Sequence, residues 1–228
     1  EMSRRWRTKE ASEAAAAVTG QEEPPAAHES ARRADMRHIF ITGQPGTGKT
    51  TMVQRCWQRL IDEQVVSPSF VRGFFTEECR QGGTRIGFDV VTADARRAPL
   101  ARLGNTKPTV GKYSVDVGSF EALALPELES VTSLTGVSAE APTLLLLDEI
   151  GKMELHSSLF WPAVKTALDS SVPTLGTVPM PRYGHTIAEV ESVKSRDDVV
   201  LYKLTKENRD AMFDEIYEMV KSQIVATK

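Results

Sequence analysis

A glycine-rich segment near the start of the chain constrains the fold more than any other feature. The apolar run HIFIT, which begins at His38, leads directly into GQPGTGKT, and this segment satisfies the pattern G-x-x-x-x-G-K-[ST] from Gly43 to Thr50. Between a strand and a helix this pattern is typical of a phosphate-binding loop (P-loop), because its glycines let successive backbone N–H groups turn toward one anion. An ordinary glycine-rich turn is the alternative, and the flanking strand and helix favour the P-loop.

Three residues at the end of this loop have predicted roles. The N-terminus of the following helix attracts negative charge, and Lys49 is expected to contact the β- and γ-phosphates of a nucleotide. The Thr50 hydroxyl is a predicted Mg²⁺ ligand, and Thr51 is a predicted further phosphate contact. The sequence therefore predicts a site for Mg²⁺ and a nucleoside triphosphate.

A second motif supplies two carboxylates. The run Leu144–Leu147 is continuously apolar, as in a central parallel strand, and Asp148 and Glu149 follow it directly in the Walker-B arrangement. We expect this strand to neighbour that of the P-loop, with Asp148 orienting Mg²⁺ or its waters and Glu149 positioning or deprotonating the attacking water. An acidic pair that merely ends a strand at the surface is the alternative. Behind a P-loop, the pair predicts hydrolysis as well as binding.

Phosphoryl transfer builds negative charge on the phosphate oxygens, so a further cation would lower the barrier. Lys152, three residues past Glu149, and Arg85, in a predicted hairpin, are the candidates, and each has the alternative of being a solvated surface residue. Three histidines have no metal-ligand spacing and are expected to pack or to face solvent: His38, His156 and His185.

The residues after the last predicted strand bear on nucleobase selection. Guanine-specific GTPases commonly place an N/T-K-x-D motif there, in which the Asp carboxylate accepts hydrogen bonds from the base. Here the run Thr205–Asn208 reads TKEN, so an amide replaces the Asp and strong guanine selection is not expected. The alternative is that Thr205 and Asn208 are only local helix caps.

Alternating strands and helices predict the fold class. A strand, a helix and the run SFVRGFF imply a right-handed βαβ unit. GFFTEEC and TRIGFDVVTA flank Arg80–Gly83 and predict an inserted β-hairpin, which an irregular segment near 95–111 follows. Further strands are predicted at YSVDV, VPTLGTV and DVVLYKLT, with a short helix capped by Ser119 and a final helix around 209–225. The result is a three-layer α/β fold with a mostly parallel sheet.

Residues 1–35 differ in composition from the rest of the chain. They are rich in alanine and glutamate and almost lack strand-forming residues, which predicts a flexible extension before a P-loop domain over 36–228. The basic start resembles an organelle-targeting peptide, but four glutamates argue against one. Met36 is an alternative start.

Bulk composition argues against several classes of protein. A net charge of −3 disfavours a dedicated nucleic-acid or anionic-membrane binder. Cys56 and Cys79 lie in no CxxC or Cys/His cluster, which disfavours a disulfide scaffold or a zinc site. The apolar run Leu144–Leu147 is far shorter than the ~20 residues of a membrane span. We expect a soluble, cytoplasmic monomer that binds nucleotides and neither membranes nor nucleic acid.

Longer segments resemble one family, the cancer-related nucleoside-triphosphatases, which are small P-loop proteins with relatives in thermophilic microbes. The resemblance covers almost all of 36–228 and rests on MRHIFITGQPGTGKTT, GFFTEECRQGGTRIGFDVV, SFEALALP, LLLLDEIGKMEL and LTKENRD, in the family's order and at family-like spacing. It implies a RecA-like or AAA-like sheet and slow hydrolysis of several ribonucleoside triphosphates, from among ATP, GTP, CTP and UTP, with modest base preference. It also implies that the hairpin helps to shape the site.

The same resemblance implies two groups of nucleotide contacts. The first is the P-loop: Gly43, Gln44, Pro45, Gly46, Thr47, Gly48, Lys49 and Thr50. The second is the acidic strand and its continuation: Leu144, Leu145, Leu146, Leu147, Asp148, Glu149, Ile150 and Gly151.

Two other functions use the same loop. A small nucleotide or polynucleotide kinase needs a second substrate pocket with several arginines, and Arg96, Arg97 and Arg102 are available for one. An RNA-associated switch would use hydrolysis only to reset a conformation, with the Arg-rich stretch 80–103 as its nucleic-acid face. The Glu149 carboxylate beside Asp148 favours activated water and hence a hydrolase.

Overall fold

The computed structural model describes residues 37–132, 142–181 and 184–226. The predicted extension over 1–35 and the alternative start at Met36 lie outside these residues.

The described residues form nine strands and five α-helices. The strands are β1 (His38–Gly43), β2 (Val71–Gln81), β3 (Thr84–Thr92), β4 (Arg97–Leu103), β5 (Thr109–Val110), β6 (Tyr113–Val115), β7 (Leu144–Leu147), β8 (Thr174–Pro179) and β9 (Val199–Leu204). The helices are α1 (Lys49–Asp62), α2 (Val117–Thr132), α3 (Phe160–Leu168), α4 (Ala188–Lys194) and α5 (Met212–Ala226). Short 3-10 turns occupy Pro68–Phe70 and Glu154–His156.

All nine strands belong to one mixed sheet in the order β5-β6-β4-β3-β2-β7-β8-β1-β9. The strands from β2 to β9 in this order are parallel to one another, and the other four pairings are antiparallel. β8 lies between β1 and β7, so the expectation that the acidic strand directly neighbours the P-loop strand was wrong by one strand. Strand order depends on crossover connections, which the sequence pattern does not reveal.

Two apolar clusters cover the two faces of the sheet. On one face, Ile39 and Ile41 of β1 pack with α1 and α5, and Leu144 and Leu146 of β7 belong to the same cluster. On the other face, Phe40 packs in the cluster that contains α2, α3 and α4. Because successive strand side chains point to opposite faces, a strand buried on both faces must be apolar throughout. The predicted three-layer α/β class is therefore confirmed.

The antiparallel part of the sheet is larger than the predicted hairpin. β2 is one continuous strand that pairs with β7 at its start and with β3 further along, whereas the sequence suggested two separate strands. β4 lies within the segment expected to be irregular, and its pairing with β3 shifts register beside Pro99. The shift turns both Leu100 and Ala101 into the core, which removes the alternation that would have identified a strand.

α2 begins earlier and runs longer than predicted. The Asp116 carboxylate accepts hydrogen bonds from the Ser119 N–H (3.0 Å) and the Ser119 hydroxyl (2.8 Å), so Asp116 is the capping residue and Ser119 lies in the first turn. The helix continues through Pro126 and buries Phe120 and Leu128 against the sheet. Its apolar face outweighs the hydrogen bond that proline cannot donate.

Candidate active site

The P-loop follows β1 and is shaped by two glycines. Gly46 and Gly48 have φ of +79° and +95°, a region that residues with a Cβ rarely adopt. Between them, the Thr47 hydroxyl and N–H both donate to the Gln44 carbonyl, at 2.9 and 3.2 Å, which closes the loop. No side chain among the described residues caps the first turn of α1. Its backbone N–H groups are therefore directed at the concave side of the loop, where an anion would bind.

Strand β9 fixes the first position of the loop. A Cβ on Gly43 would lie 2.4 Å from the Leu204 carbonyl oxygen, so only glycine fits between β1 and β9 there. This glycine is required by the packing of the sheet as well as by the phosphate loop.

The Lys49 ammonium lies between the two predicted motifs. Its Nζ is 3.4 Å from the Gly43 carbonyl oxygen and 3.7 Å from Glu149 Oε2, and only 10% of the side chain is exposed. The P-loop and the acidic pair therefore meet at the carboxyl edge of the parallel strands, where ligands of open α/β sheets bind. One positive charge faces the position of a phosphate and a carboxylate at the same time.

Asp148 is buried at the end of β7. The Thr177 hydroxyl of β8 donates to its Oδ1 at 2.5 Å, while its buried Oδ2 has no hydrogen-bond partner of normal geometry among the described residues. Burial raises the pKa of Asp148, against the opposing effect of the Thr177 and Thr50 hydroxyls. Thr50 and Asp148 are thus neighbours, and together they offer the hard oxygen donors that Mg²⁺ prefers.

The unpaired oxygen provides a test of whether these residues fit Mg²⁺. A buried carboxylate oxygen without a donor is costly unless a cation completes it, so the donor set at Asp148 and Thr50 fits the ion. Among the described residues, no group of three or more His, Cys, Asp and Glu side chains is arranged to hold a metal by itself. Mg²⁺ is usually bound by one or two protein oxygens together with substrate phosphates.

Glu149 is placed further out than Asp148, with 31% of its side chain exposed. Burial raises its pKa, Lys49 opposes this effect and Asp148 adds to it. A carboxylate of raised pKa binds a proton more strongly, which suits a general base.

The sequence analysis missed Glu154. It lies in the 3-10 turn after the acidic pair, is 4% exposed, and accepts a hydrogen bond from the Gly151 N–H at 3.2 Å. Burial, together with the nearby Glu149 charge, raises the pKa of Glu154 to about 8. An available signal was the position of this acid between Met153 and Leu155, where a flanking apolar pair suggests burial.

The two predicted additional cations lie in different surroundings. The Arg85 guanidinium forms an ion pair with Glu78 and lies over the ring of Phe88, 5.3 Å from its centroid. Lys152 is exposed and lines an open groove of about 530 Å³ with His156. The catalytic role of both cations stays a prediction.

A second cleft, of about 210 Å³, opens beside the P-loop. Six residues line it, and three of them are charged: Gly48, Thr51, Met52, Arg55, Arg209 and Asp210. Near it, the Asn208 carboxamide accepts a hydrogen bond from the Thr205 N–H (2.7 Å) and donates one to the Lys203 carbonyl (3.0 Å). Asn208 is thus engaged by the backbone, as the capping interpretation of this run expects.

The arginines available to a kinase lid are engaged in ion pairs. Arg96 pairs with Asp94 and Glu127, and Arg97 and Arg102 both pair with Asp89. They stabilise the antiparallel part of the sheet and leave few free charges for a second substrate.

A histidine and the two cysteines lie outside the candidate site, and the described helices can be compared with a membrane span. His38 is buried, its Nε2 lies 3.0 Å from the Leu168 carbonyl oxygen, and burial lowers its pKa to about 4. Cys56 and Cys79 are free thiols. None of the described helices combines the length and the apolar composition that a membrane span requires.

Comparison with known proteins gives consistent results. The sequence profile of the family described as NTPase matches residues 38–217. The human cancer-related nucleoside-triphosphatase is 44% identical over 193 residues, which cover 82% of this chain and 97% of that protein. The nucleoside-triphosphatase THEP1 of Thermotoga maritima strain MSB8 is 35% identical over 184 residues, covering 80% and 95%.

Two solved structures share the fold. The solution structure of a human cancer-related nucleoside triphosphatase superposes with a TM-score of 0.68 at 44% identity, covering 82% of this chain and 98% of that one. The crystal structure of THEP1 from the hyperthermophile Aquifex aeolicus gives a TM-score of 0.64 at 35% identity, covering 78% and 96%.

Proposed function

This chain belongs to the NTPase family, and we propose that the nucleoside triphosphates it hydrolyses include ATP, GTP, CTP and UTP, which it cleaves with Mg²⁺ to the diphosphate and phosphate. The observation that carries the proposal is the meeting of Lys49 and Glu149, 3.7 Å apart, at the carboxyl edge of the parallel strands. A cation for the phosphates and a base for water are thereby placed side by side.

Binding begins at the P-loop. The N–H groups that follow Gly46 and Gly48 and the Lys49 ammonium supply positive potential for the phosphate chain, and Gln44, Pro45, Thr47 and Thr51 complete its wall. Because Lys49 has little exposure to water, its charge acts at lower effective dielectric than a surface lysine would. Backbone N–H groups and a largely buried cation held in fixed positions suit electrostatic stabilisation of the transition state.

Glu149 acts on water in this proposal. It is more exposed than Asp148 and carries a raised pKa, so it can accept a proton from a water molecule that approaches from solvent. The nearby Lys49 charge opposes the effect of burial and favours the ionised form of the carboxylate. The backbone from Leu144 to Gly151 holds this carboxylate on the rigid end of a central strand.

Thr50 and Asp148 would hold Mg²⁺ together with the phosphate oxygens. When bound, the ion neutralises charge that develops on those oxygens. The contribution of the chain itself is to fix Asp148 through the Thr177 hydroxyl, so that one carboxylate oxygen remains available.

The cleft beside Gly48 is the proposed nucleobase site. Arg55 and Arg209 offer flat guanidinium groups that stack on any base, while Asn208 is occupied by backbone contacts. Such a site supports modest selectivity, because discrimination needs hydrogen-bonding groups directed at one base edge.

Three further parts of the proposal come mainly from the sequence analysis and not from the geometry of the site. Arg85 and Lys152 are the proposed additional cations for the transition state. A P-loop domain over 36–228 with a flexible extension at 1–35 is the proposed organisation. The protein is proposed to be a monomer and to be cytoplasmic, and the two free thiols support the second of these.

Release of inorganic phosphate tests the proposal. The purified chain should release phosphate from each of the four nucleotides in the presence of Mg²⁺ and stop when EDTA is added. A Lys49→Ala preparation, purified in the same way, controls for contaminating phosphatases. Equal release by that preparation, or nucleotide loss that requires an added acceptor, would overturn the assignment.

A further inference from the structure

Glu154 is a buried carboxyl that the proposed reaction does not use. Only 4% of the residue is exposed, and among the described residues no Lys, Arg or His forms an ion pair with it. The Gly151 N–H donates to its Oε2, so one end of the carboxyl is anchored to the segment that carries Glu149. A buried acid in such surroundings is costly when ionised and is therefore held in its neutral form.

Glu154 and Glu149 converge on one point of the backbone. A Cβ placed on Gly151 would lie 2.7 Å from Glu149 Oε1 and 3.0 Å from Glu154 Oε2. The two carboxyl groups thus flank the same glycine, and no larger residue fits there without displacing at least one of them. Gly151 is required by this crowding, since its φ lies outside the left-handed region.

The surroundings of the two acids separate their protonation states. Lys49 lies 3.7 Å from Glu149 and stabilises a charge on it, whereas Glu154 is more deeply buried and has no cation of its own. Two neighbouring carboxyls do not both ionise readily, so the proton resides on Glu154, in agreement with its pKa of about 8. A neutral Glu154 adds no second negative charge beside the Glu149 carboxylate.

We propose that Glu154 is a positioning residue that holds the Glu149 carboxylate in the orientation needed to act on water. This inference rests on the proposed role of Glu149. In this proposal Glu154 takes no direct part in the reaction and acts through Glu149. Gly151 lies against both carboxyl groups and holds them together.

Two substitutions of Glu154 distinguish the loss of the side chain from the loss of its acidity. Glu154→Ala should lower kcat about tenfold and leave KM within about twofold, because the P-loop is untouched. Glu154→Gln keeps a donor and an acceptor of the same shape and should restore kcat to within about threefold of the parent protein. Glu218→Ala and Glu218→Gln, at an exposed position on α5, are the matched controls. Full activity of Glu154→Ala, or a Glu154→Gln variant as slow as Glu154→Ala, would overturn the proposal.

A double variant excludes a merely structural role. If Glu154 acts through Glu149, Glu149→Gln with Glu154→Ala should be no slower than Glu149→Gln alone, since residues that act as a unit are not additive. Independent, multiplying losses would contradict positioning. If Glu149→Gln alone keeps full turnover, the proposed base is wrong, and that result is distinct from any outcome at 154.

Gly151→Ala provides a second test in which neither acidic residue is substituted. The added methyl group should push the carboxyls apart and lower kcat about tenfold, measured by single-turnover phosphate release. Normal turnover by this variant would contradict the anchoring role of Gly151.

Discussion

Charged side chains are arranged differently in the parallel and antiparallel halves of the sheet. In the antiparallel half, these arginines pair with acids on the same strand, on another strand, in the adjoining loop or on α2: Arg80 and Arg85 with Glu78, Arg97 with Glu77 and Asp89, Arg102 with Asp89, and Arg96 with Asp94 and Glu127. At the edge of the parallel half, Asp148 and Glu149 lie near Lys49, while Glu154 lies near these two acids and forms no ion pair among the described residues.

The pKa of Asp89 in the antiparallel half and the pKa values of the three acids at the parallel edge shift in opposite directions. Against the opposing effect of burial, hydrogen bonds from Arg102 and Arg97 lower the pKa of Asp89. Burial raises the pKa of Asp148, Glu149 and Glu154, and nearby charges do not offset it. We expect the paired charges to stabilise the fold and the incompletely neutralised acids to serve the proposed binding and proton transfer. The following predictions test this division.

The largest effect is expected at Lys49. Lys49→Ala removes the cation that faces both the phosphate position and Glu149, so kcat/KM should fall about 10³-fold, with weaker nucleotide binding. Steady-state kinetics and calorimetric titration measure the two effects. Lys165→Ala, at an exposed lysine of α3, should stay within about twofold of the parent protein. Normal hydrolysis by Lys49→Ala would contradict the P-loop assignment.

Glu149→Gln should separate binding from chemistry. The amide cannot accept the proton of water, so kcat should drop about 10²-fold while the nucleotide Kd stays within about twofold. Single-turnover phosphate release and equilibrium titration give the two values, with Glu218→Gln on α5 as the control. Unchanged turnover would remove Glu149 from the reaction.

Glu154 should make the stability of the protein depend on pH. Its pKa of about 8 in the folded state lies above the ordinary 4.5, so between these values the folded chain keeps a proton that the unfolded chain has lost. The free energy of unfolding should therefore fall as pH rises through this window, by up to about 1.4 kcal/mol per pH unit more than in Glu154→Gln. Urea unfolding at pH 5.5, 6.5 and 7.5 measures the difference. Parallel curves for the two proteins would contradict it.

Arg85 tests whether the antiparallel half is purely structural. Arg80 and Arg85 both pair with Glu78, so their replacement by alanine should affect stability to a similar, small degree of about 1 kcal/mol or less. If Arg85 is an additional cation for the transition state, as proposed, Arg85→Ala should lower kcat about fivefold and Arg80→Ala should not. Equal kcat values in the two variants would leave only the structural role.

The phosphate loop and the acidic pair were readable from the sequence because each is contiguous. Local backbone chemistry makes Gly46 and Gly48 necessary, and an apolar run before Asp148 implies a buried strand whatever its neighbours. The three-layer class followed from the alternation of strands and helices. Their order in the sheet did not, because the position of β8 between β1 and β7 depends on how the crossovers fold back.

The features that were missed depend on tertiary contacts. The sequence around β4 predicts an irregular segment because Pro99 and the arginines at 96, 97 and 102 interrupt the apolar alternation of a strand. In the structure, these arginines form ion pairs with acids on β2, β3 and α2. Glutamate is usually a surface residue, and the burial of Glu154 arises from packing of its 3-10 turn against α2 and α3. The pairing of these arginines and the burial of Glu154 both depend on residues that are distant in the sequence.

The strand between β1 and β7 sets the width of the active site. Neighbouring strands are held about 4.8 Å apart by backbone hydrogen bonds, so the axes of β1 and β7 are separated by about 9.6 Å whatever side chains they carry. Lys49 reaches across this gap to Glu149, and Thr177 of the middle strand supports Asp148 from within it. The room for a terminal phosphate and a water molecule is therefore a fixed dimension of the backbone, and side-chain substitutions alter its chemistry without changing its span.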